Sequence, residues 1–288
     1  MAASNMSDIK RRIRSVTSTE HITNAMKLVS AAKLRRAKTT LDKVNENFEY
    51  LTATINDILS DTSDVPQDFL EGSREIVNTC YIVITSDRGL CGSYNSNVIK
   101  EAEKEIGPDK THAHIIAIGS KGEEYFTKRG VEIHSDYLAP PEDISFAEVR
   151  DMCYDFVNMY TSGQVDKVVM IYTYFKNNME QEVVSEQILP FYSRTIEGAV
   201  AVPREVEYEP SVEAVFNYLI PKYFEVVVYN AIVQAATSEH ASRRMAMESA
   251  TDSANDMLSQ LSLYYNRARQ ASITNEIIEV VSGSEAQS

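Results

Sequence analysis

The chain has 288 residues, of which 43% are hydrophobic and 24% charged, a composition that can bury an apolar core and excludes a fully disordered protein. No apolar run approaches the roughly 18 residues that cross a bilayer, so we predict no transmembrane helix. The three cysteines, Cys80, Cys91 and Cys153, are isolated, which excludes a disulfide framework and a cysteine-based metal site.

Charge is distributed unevenly along the chain. Residues 1–43 contain ten Lys or Arg and three acidic residues, a balance of +7, so the remaining residues must carry −21 to give the formal net charge of −14. A basic segment on an acidic protein predicts different partners for the two parts. Nucleic acid and an acidic protein surface are both candidates, and the overall acidity favours the protein. The segment is also Arg- and Ser-rich, as transit peptides are, but its helical pattern continues past it, so we interpret it as part of the folded protein.

A helical pattern occupies the first sixty residues. From Ile9 to Ile58, fifteen positions alternate in spacing between three and four, and eleven of them are apolar. The four polar positions fall together between Glu20 and Ser30. There Ile22, Met26 and Val29 carry the apolar signal on a shifted face, which predicts a stutter in the heptad repeat.

The middle of the chain, residues 75–200, has the pattern of an α/β domain. Strands are predicted at Cys80–Thr85, Ala113–Gly119, Val131–Ser135, Lys167–Tyr174 and Glu182–Pro190. Helices are predicted between them, at Asn97–Glu105, Lys121–Arg129 and Phe146–Tyr160. Strands that alternate with helices indicate a mostly parallel, Rossmann-like sheet, with the option of an antiparallel edge.

The last seventy residues carry a second and longer heptad stripe. It passes through Met247, Ala250, Ala254, Met257 and Leu261, and in full 13 of its 16 positions from Val226 to Ile278 are apolar. Pro221 either kinks this helix or begins it. One helix from Lys222 to Val281 would measure roughly 90 Å, which is too long for the interior of a compact domain of this size.

Together these patterns predict an α/β protein with a long antiparallel two-helix coiled coil and an inserted Rossmann-like domain. We divide the sequence into an N-terminal coiled-coil helix (1–62), a central α/β domain (75–205) and a C-terminal coiled-coil helix (211–288). The C-terminal helix is longer, so its tip should extend beyond the N-terminal helix. That tip is apolar on more than one face (Ile273, Ile277, Ile278, Val281) and needs a partner to cover it.

Two further stretches are candidates for binding sites. Ser86–Gly92 (SDRGLCG) follows a strand and precedes a helix, where phosphate loops occur, but it matches neither common phosphate-binding motif, so a tight turn is favoured. His112 and His114 could share a strand face, although two histidines without further ligands make a poor metal site. The basic positions 10–14 and 33–38 suit either solvent or acidic protein loops. Near the tip, Arg267, Arg269, Gln270, Thr274 and Asn275 have the character of hydrogen-bonding contacts.

Four segments resemble one protein family. They are ITNAMKLVSAAKLRRA (22–37), ITSDRGLCGSYN (84–95), SEHASRRMAMESATDSANDM (238–257) and LYYNRARQASITNEIIEVVSG (263–283). In order and content they are similar to the γ subunit of the rotary proton-translocating ATP synthase, of the bacterial type. The resemblance implies a coiled-coil rotor shaft inside a ring of α and β subunits. The α/β domain would be a foot seated with the ε subunit on the membrane c-ring, with one such chain per complex.

The resemblance also implies roles for single residues. Met26, with Lys27 beside it, matches the segment that meets an acidic loop of β. Arg269 and Gln270 match positions that hydrogen-bond a loop of β, with Thr274 one turn on, and Arg243 matches a further coupling position. The tip residues Ile273, Ile277, Ile278 and Val281 would turn in an apolar bearing. The chain itself would have no catalytic site, metal, cofactor or nucleic-acid partner, and would lie peripherally at the cytoplasmic face of the cell membrane.

Two alternatives of other classes remain open on the sequence. Residues 75–200 could be a nucleotide- or substrate-binding enzyme with coiled-coil arms. Otherwise the chain could be a coiled-coil adaptor, or a nucleic-acid clamp that uses the basic helix.

Overall fold

The computed structural model describes residues 2–61, 69, 75–131, 133–137, 141–190, 209 and 211–285. The helices are α1 (Ala2–Asp61), α2 (Tyr94–Ile106), α3 (Ser120–Thr127), α4 (Phe146–Thr161) and α5 (Val212–Glu285), and a 3-10 turn spans Pro141–Asp143. The strands are β1 (Thr79–Ile84), β2 (Ala113–Ile118), β3 (Ile133–Tyr137), β4 (Lys167–Phe175) and β5 (Gln181–Leu189). Every helix and strand predicted for the middle of the chain is confirmed, with ends shifted by a few residues.

The chain divides into two compact units. One contains Met1–Ala31 and Arg243–Ser288, and the other contains Ala32–Ser242. The larger unit holds the sheet, and the smaller one consists of the outer parts of α1 and α5. None of the helices in the described part of the chain is long and apolar enough to cross a membrane.

The sheet of the larger unit has the strand order β3-β2-β1-β4-β5. The first four strands are parallel, and β5 pairs antiparallel with β4 at one edge. Ile82 at the centre of β1 lies opposite Ile116 on β2 and Met170 on β4. Helices cover both faces of these strands, which is why their sequences are continuous apolar runs rather than alternating ones. The predicted mostly parallel sheet with an antiparallel edge is confirmed.

The two faces of the sheet bury separate cores. On one face, Ile82 and Ile84 of β1 pack with α4 residues such as Phe156 and with Phe224 and Ile232 of α5. The other face packs against α2 and α3 through residues that include Val83, Val98, Ala102 and Phe126. The period-two alternation along β1 therefore assigns each side chain to one of the two cores.

In the larger unit, α5 lies between the sheet and α1. It runs unbroken through Pro221, so the alternative in which Pro221 begins a separate helix is wrong. Its residues 227–241 are buried on nearly every side, apart from a half-buried Tyr229. Val233 packs with Leu41 and Val44 of α1. Asn230, three residues earlier on α5, donates a hydrogen bond to Asn45, four residues later on α1 than Leu41. The two helices are therefore antiparallel, as predicted.

Candidate partner-binding surface

The smaller unit pairs the beginning of α1 with the end of α5. Thr251 Oγ1 lies 2.8 Å from Thr23 Oγ1, and the Lys10 ammonium lies 5.4 Å from the ring centroid of Tyr265. Moving back along α1 from Thr23 to Lys10 thus corresponds to moving forward along α5 from Thr251 to Tyr265. The helices of this unit are antiparallel, which confirms the sequence prediction here as well.

The seam of α1 keeps its heptad rhythm through the polar segment. Thr23 is only 8% exposed and Ser30 2%, and both occupy the predicted positions. Ile22 and Val29, by contrast, are each 57% exposed. The predicted stutter is therefore wrong. The Thr23 hydroxyl donates to the Glu20 carbonyl and meets Thr251, so a polar residue can stay in the seam without an unsatisfied group.

The seam of α5 differs from the predicted stripe at alternate positions. Met247, Thr251 and Ala254 are buried, whereas Met257 and Tyr264 are each 55% exposed. The next residue after each of these, Leu258 and Tyr265 respectively, is half-buried instead. Both registers have heptad spacing, so periodicity cannot separate them. The partner helix decides between them, because Thr251 and Tyr265 are the residues that contact α1.

The predicted contact residues form two groups on this unit. Met26 and Lys27 are half-buried on α1, and Arg243 is half-buried on α5 at a nearby level of the antiparallel register. The neighbour of Arg243, Arg244, pairs with Glu248 at 3.2 Å. The structure therefore brings these three predicted residues to one stretch of the coiled coil.

The second group lies further along α5. Arg269, Gln270 and Thr274 are exposed, and the Thr274 hydroxyl donates to the Gln270 carbonyl at 2.9 Å. Thr23 lies opposite Thr251, so Met26, three residues after Thr23, lies opposite Glu248 in the antiparallel register. Arg269 follows Glu248 by about twenty residues, which is roughly 30 Å of helix. The structure does not bring the two groups together, so each would contact a different part of a partner.

The end of α5 extends past the start of α1. Lys10 contacts Tyr265 in the antiparallel register. Ala2, eight residues before Lys10, therefore lies opposite Ile273, eight residues after Tyr265. From Thr274 onward α5 therefore has no α1 residue opposite it in the described part of the chain. The tip side chains Ile273, Ile277, Ile278 and Val281 are all exposed, the last three by more than half. The tip is therefore exposed among the described residues, and its role as a bearing stays a prediction.

Cations surround the helix pair below the tip. Lys10, Arg11, Arg12 and Arg14 are all exposed. Arg11 pairs with Asp8 at 3.0 Å, whereas Arg12 and Arg14 have no acidic partner within 4 Å in the described part of the chain. An open groove of about 400 Å³ runs beside them, lined by Asp8, Ile9, Arg12, Leu261, Tyr264 and Ala268. Apolar side chains thus share this groove with one cation, Arg12, and one carboxylate, Asp8.

The Ser86–Gly92 segment in the larger unit is a closed turn. The Ser86 hydroxyl donates to the Arg88 carbonyl at 2.6 Å, and its backbone N–H donates to Asn95 Oδ1 at 2.9 Å. Asn95 Nδ2 also donates to the buried Cys91 sulfur at 3.3 Å. Leu90 adopts a φ of 62°, in the left-handed region. These bonds join the turn to itself and to the first turn of α2, which supports the tight-turn interpretation.

His112 and His114, at the start of β2, are the candidate metal ligands from the sequence. In the described residues no three His, Cys, Asp or Glu side chains lie close enough to hold a metal ion. His112 Nδ1 lies 3.0 Å from Asn78 Oδ1 next to β2. The histidine pair of the sequence analysis therefore has no third ligand among the residues described.

Comparison with known proteins places the whole architecture in one family. The family described as ATP synthase matches residues 5–287. The ATP synthase gamma chain of Alkaliphilus metalliredigens is 45% identical over 285 residues, covering 98% of each chain. The ATP synthase gamma chain of Moorella thermoacetica is 39% identical over 287 residues, again covering 98% of each.

The chain belongs to the ATP synthase gamma-chain family.

A solved relative supports the fold of this gamma-chain family member. A chain in the central stalk and c-ring structure of Tetrahymena thermophila mitochondrial ATP synthase is 26% identical, with a TM-score of 0.64. The match covers 80% of the present chain and 99% of the Tetrahymena chain. The family predicted from the four sequence segments is therefore confirmed.

One set of polar contact residues was not predicted from the sequence. Gln234, Ser238 and Ser242 lie on the side of α5 that faces the sheet, and each bonds to the hairpin formed by β4 and β5. Their signal is a spacing of four residues within an otherwise apolar run. The apolar heptad stripe predicts only the face of α5 that packs on α1, so it gives no signal for a second, polar stripe on the face toward the sheet.

Proposed function

We propose that this chain is the central rotor shaft of a proton-translocating ATP synthase. Rotation of the shaft would couple proton flow through a membrane c-ring to ATP synthesis at catalytic sites on β subunits. The observation that carries the proposal is the unpaired apolar end of α5 in a member of the gamma-chain family. An end of this kind requires a surrounding partner, and a collar of other subunits would supply one.

The smaller unit and the sheet domain suit different partners. We infer that the smaller unit enters the ring of α and β subunits, because it carries the apolar tip and exposed cations that suit acidic loops. The sheet domain, residues 75–205, would be the foot that binds the ε subunit and the c-ring. One copy per complex would lie at the cytoplasmic face of the membrane and be held there by other subunits. Nucleic acid is not part of this proposal.

The proposed contact residues form two groups, each of which would contact a different loop of β. Met26, Lys27 and Arg243 would meet an acidic loop of β at one level. Arg269, Gln270 and Thr274 would hydrogen-bond a second loop about 30 Å away. Charge-assisted hydrogen bonds are directional, so they suit contacts that define preferred angles of the shaft. Apolar contacts are not directional, so Ile273, Ile277, Ile278 and Val281 suit a bearing.

Rotation can be tested with a single label. Cys80, Cys91 and Cys153 are buried, while Tyr154 on α4 is 70% exposed. In a complex purified through a tag on this chain, Tyr154→Cys should therefore provide the main reactive thiol of this chain for attaching a rod or bead. With the α and β subunits fixed to a surface, we expect ATP to drive rotation of the rod in one direction.

Two results would contradict the proposal. One is a tagged chain that never brings down the α and β subunits from its source cells. The other is an assembled, ATP-hydrolysing complex in which the label shows only undirected motion. The control is the unaltered chain carried through the same labelling, which should attach few rods because its thiols are buried.

A further inference from the structure

Three side chains of α5 fasten the helix to the end of the β4–β5 hairpin. Gln234 Oε1 accepts a hydrogen bond from the Phe175 backbone N–H at 3.1 Å. The Ser238 hydroxyl donates to the Thr173 carbonyl, and the Ser242 hydroxyl donates to Gln181 Oε1, each at 3.1 Å. Residues spaced by four lie on one face of a helix, so the three bonds form a single stripe. We call Gln234, Ser238 and Ser242 the hairpin key.

Gln234 also connects the hairpin to α1. Its Nε2 donates to Asn45 Oδ1 at 3.4 Å, and Asn230 donates to the same oxygen at 2.8 Å. One amide therefore touches both long helices and the last residue of β4. Gln234 is 2% exposed and Ser238 has no exposed surface. Water cannot replace these bonds without opening the packing around them.

Much of the remaining contact between α5 and the sheet is apolar. Phe224, Val228, Ile232 and Ala235 belong to the core on that side of the sheet. Apolar packing is stabilising but not directional. It therefore resists separation of the two surfaces more strongly than it resists small sliding or rolling of one over the other. Hydrogen bonds lose strength steeply when their angles change. The hairpin key therefore supplies directional contacts that oppose twisting of α5 about its own axis.

We propose that the hairpin key is a torque coupling, which makes the sheet domain turn with α5 instead of lagging behind it. Gln234, Ser238 and Ser242 are positioning residues in this role, since none of them reaches a reacting group. The proposal rests on the proposed rotor function. It adds the place where the turning force passes between the shaft and the foot.

The test is the torsional stiffness of assembled complexes. The variant combines Gln234→Met, Ser238→Ala and Ser242→Ala, which remove the polar groups and keep most of the volume. With the α and β subunits fixed and hydrolysis inhibited, thermal fluctuation of a rod on Tyr154→Cys reports the twist between shaft and foot. We expect the angular variance to rise about twofold, because three directional restraints are lost. Proton pumping per ATP hydrolysed should fall against an opposing gradient.

The chain offers a matched control. Gln260→Met, Ser253→Ala and Ser259→Ala make the same chemical changes on exposed positions of α5, where both serine hydroxyls bond carbonyls of their own helix. The control should keep the unaltered variance. Ser242→Thr retains a hydroxyl at this half-buried position and should restore the stiffness that Ser242→Ala loses.

The outcomes separate the coupling from the rotor function. Unchanged variance in an assembled triple variant would overturn the coupling and leave the rotor function intact. If the triple variant does not assemble, Gln234→Met and Ser242→Ala are measured singly, and unchanged variance in both overturns it equally. An unaltered complex whose label never rotates with ATP would overturn both proposals.

Discussion

The hydroxyls of Thr23 and Thr251 meet at 2.8 Å in the seam between α1 and α5. Thr251 also lies 2.8 Å from the Met247 carbonyl, and Thr23 donates to the Glu20 carbonyl, so the pair belongs to a small polar network. Both residues are buried. An apolar residue at either position would satisfy the heptad pattern, but it would leave the opposite hydroxyl with one partner fewer.

This contact predicts a measurable coupling between the two residues. In a cycle of Thr23→Val, Thr251→Val and the double variant, we expect a coupling energy of about 0.5–1.5 kcal/mol. The measurement is the free energy of unfolding of the purified chain in urea. Thr19→Val is the control, because the Thr19 hydroxyl is exposed and bonds only the Ser15 carbonyl in the described structure. A coupling of zero would mean that the two hydroxyls do not interact in solution.

A cation at Met26 should impair coupling more than assembly. Met26 is half-buried beside Lys27, so Met26→Lys adds a second positive charge facing the proposed acidic loop of β. Excess attraction would hold the shaft at some angles, and we expect ATP-driven proton pumping per ATP hydrolysed to fall several-fold. Met26→Leu keeps the volume without the charge and should behave like the unaltered chain. Normal pumping with Met26→Lys would remove Met26 from the contact surface.

Removing the polar pair near the tip should slow turnover without unfolding the helix. Arg269 and Gln270 are exposed, so Arg269→Ala with Gln270→Ala costs little packing in the chain itself. Loss of about 1.4 kcal/mol of partner contact would lower ATP turnover about tenfold if the contact forms in the rate-limiting step. Helix content by circular dichroism should stay unchanged. Asn266→Ala, at a nearby exposed position outside the predicted contact set, is the control, and equal turnover in both variants would exclude a specific role for the pair.

Stability at alkaline pH should depend on Cys80. Burial raises the pKa of the Cys80 thiol from 9.0 to about 12. Between pH 9 and pH 12 the Cys80 thiol is ionised in the unfolded chain but stays protonated in the folded chain. The free energy of unfolding therefore falls as pH rises, by up to about 1.4 kcal/mol per pH unit.

Cys80→Ala should therefore make the fall in unfolding free energy between pH 9 and 12 less steep, leaving the part due to Cys153, whose thiol pKa is also raised by burial. Ile116→Val, a similar loss of volume at a buried position on the adjacent strand, should leave the fall in place. The same slope in both variants would show that another group controls alkaline unfolding.

The sequence patterns predicted the structure most accurately where a single physical rule determines the pattern. The strands at Thr79–Ile84 and Lys167–Phe175 are apolar on both faces because helices cover both, and short β-branched runs of that kind are distinctive without further context. Likewise, the α1 seam could be placed before Glu20 and after Ser30, where apolar residues keep one spacing, but the shift predicted between those two residues is wrong. The unpaired end of α5 followed from length alone.

The partner helix and the sheet decided the remaining points. Both Met257 and Leu258 satisfy a heptad on α5, and only contact with α1 places the second of them nearer the seam. Ile22 and Val29 are apolar yet exposed, because Thr23 finds a hydrogen-bond partner across the seam. Gln234 and Ser238 were missed, since a polar residue in an apolar run is recognisable as a contact only when its acceptor or donor is known. The sequence by itself determined the elements and the family, through periodicity and local motifs. Only the tertiary structure decided which of two equivalent faces is buried, because that choice depends on groups more than a hundred residues away.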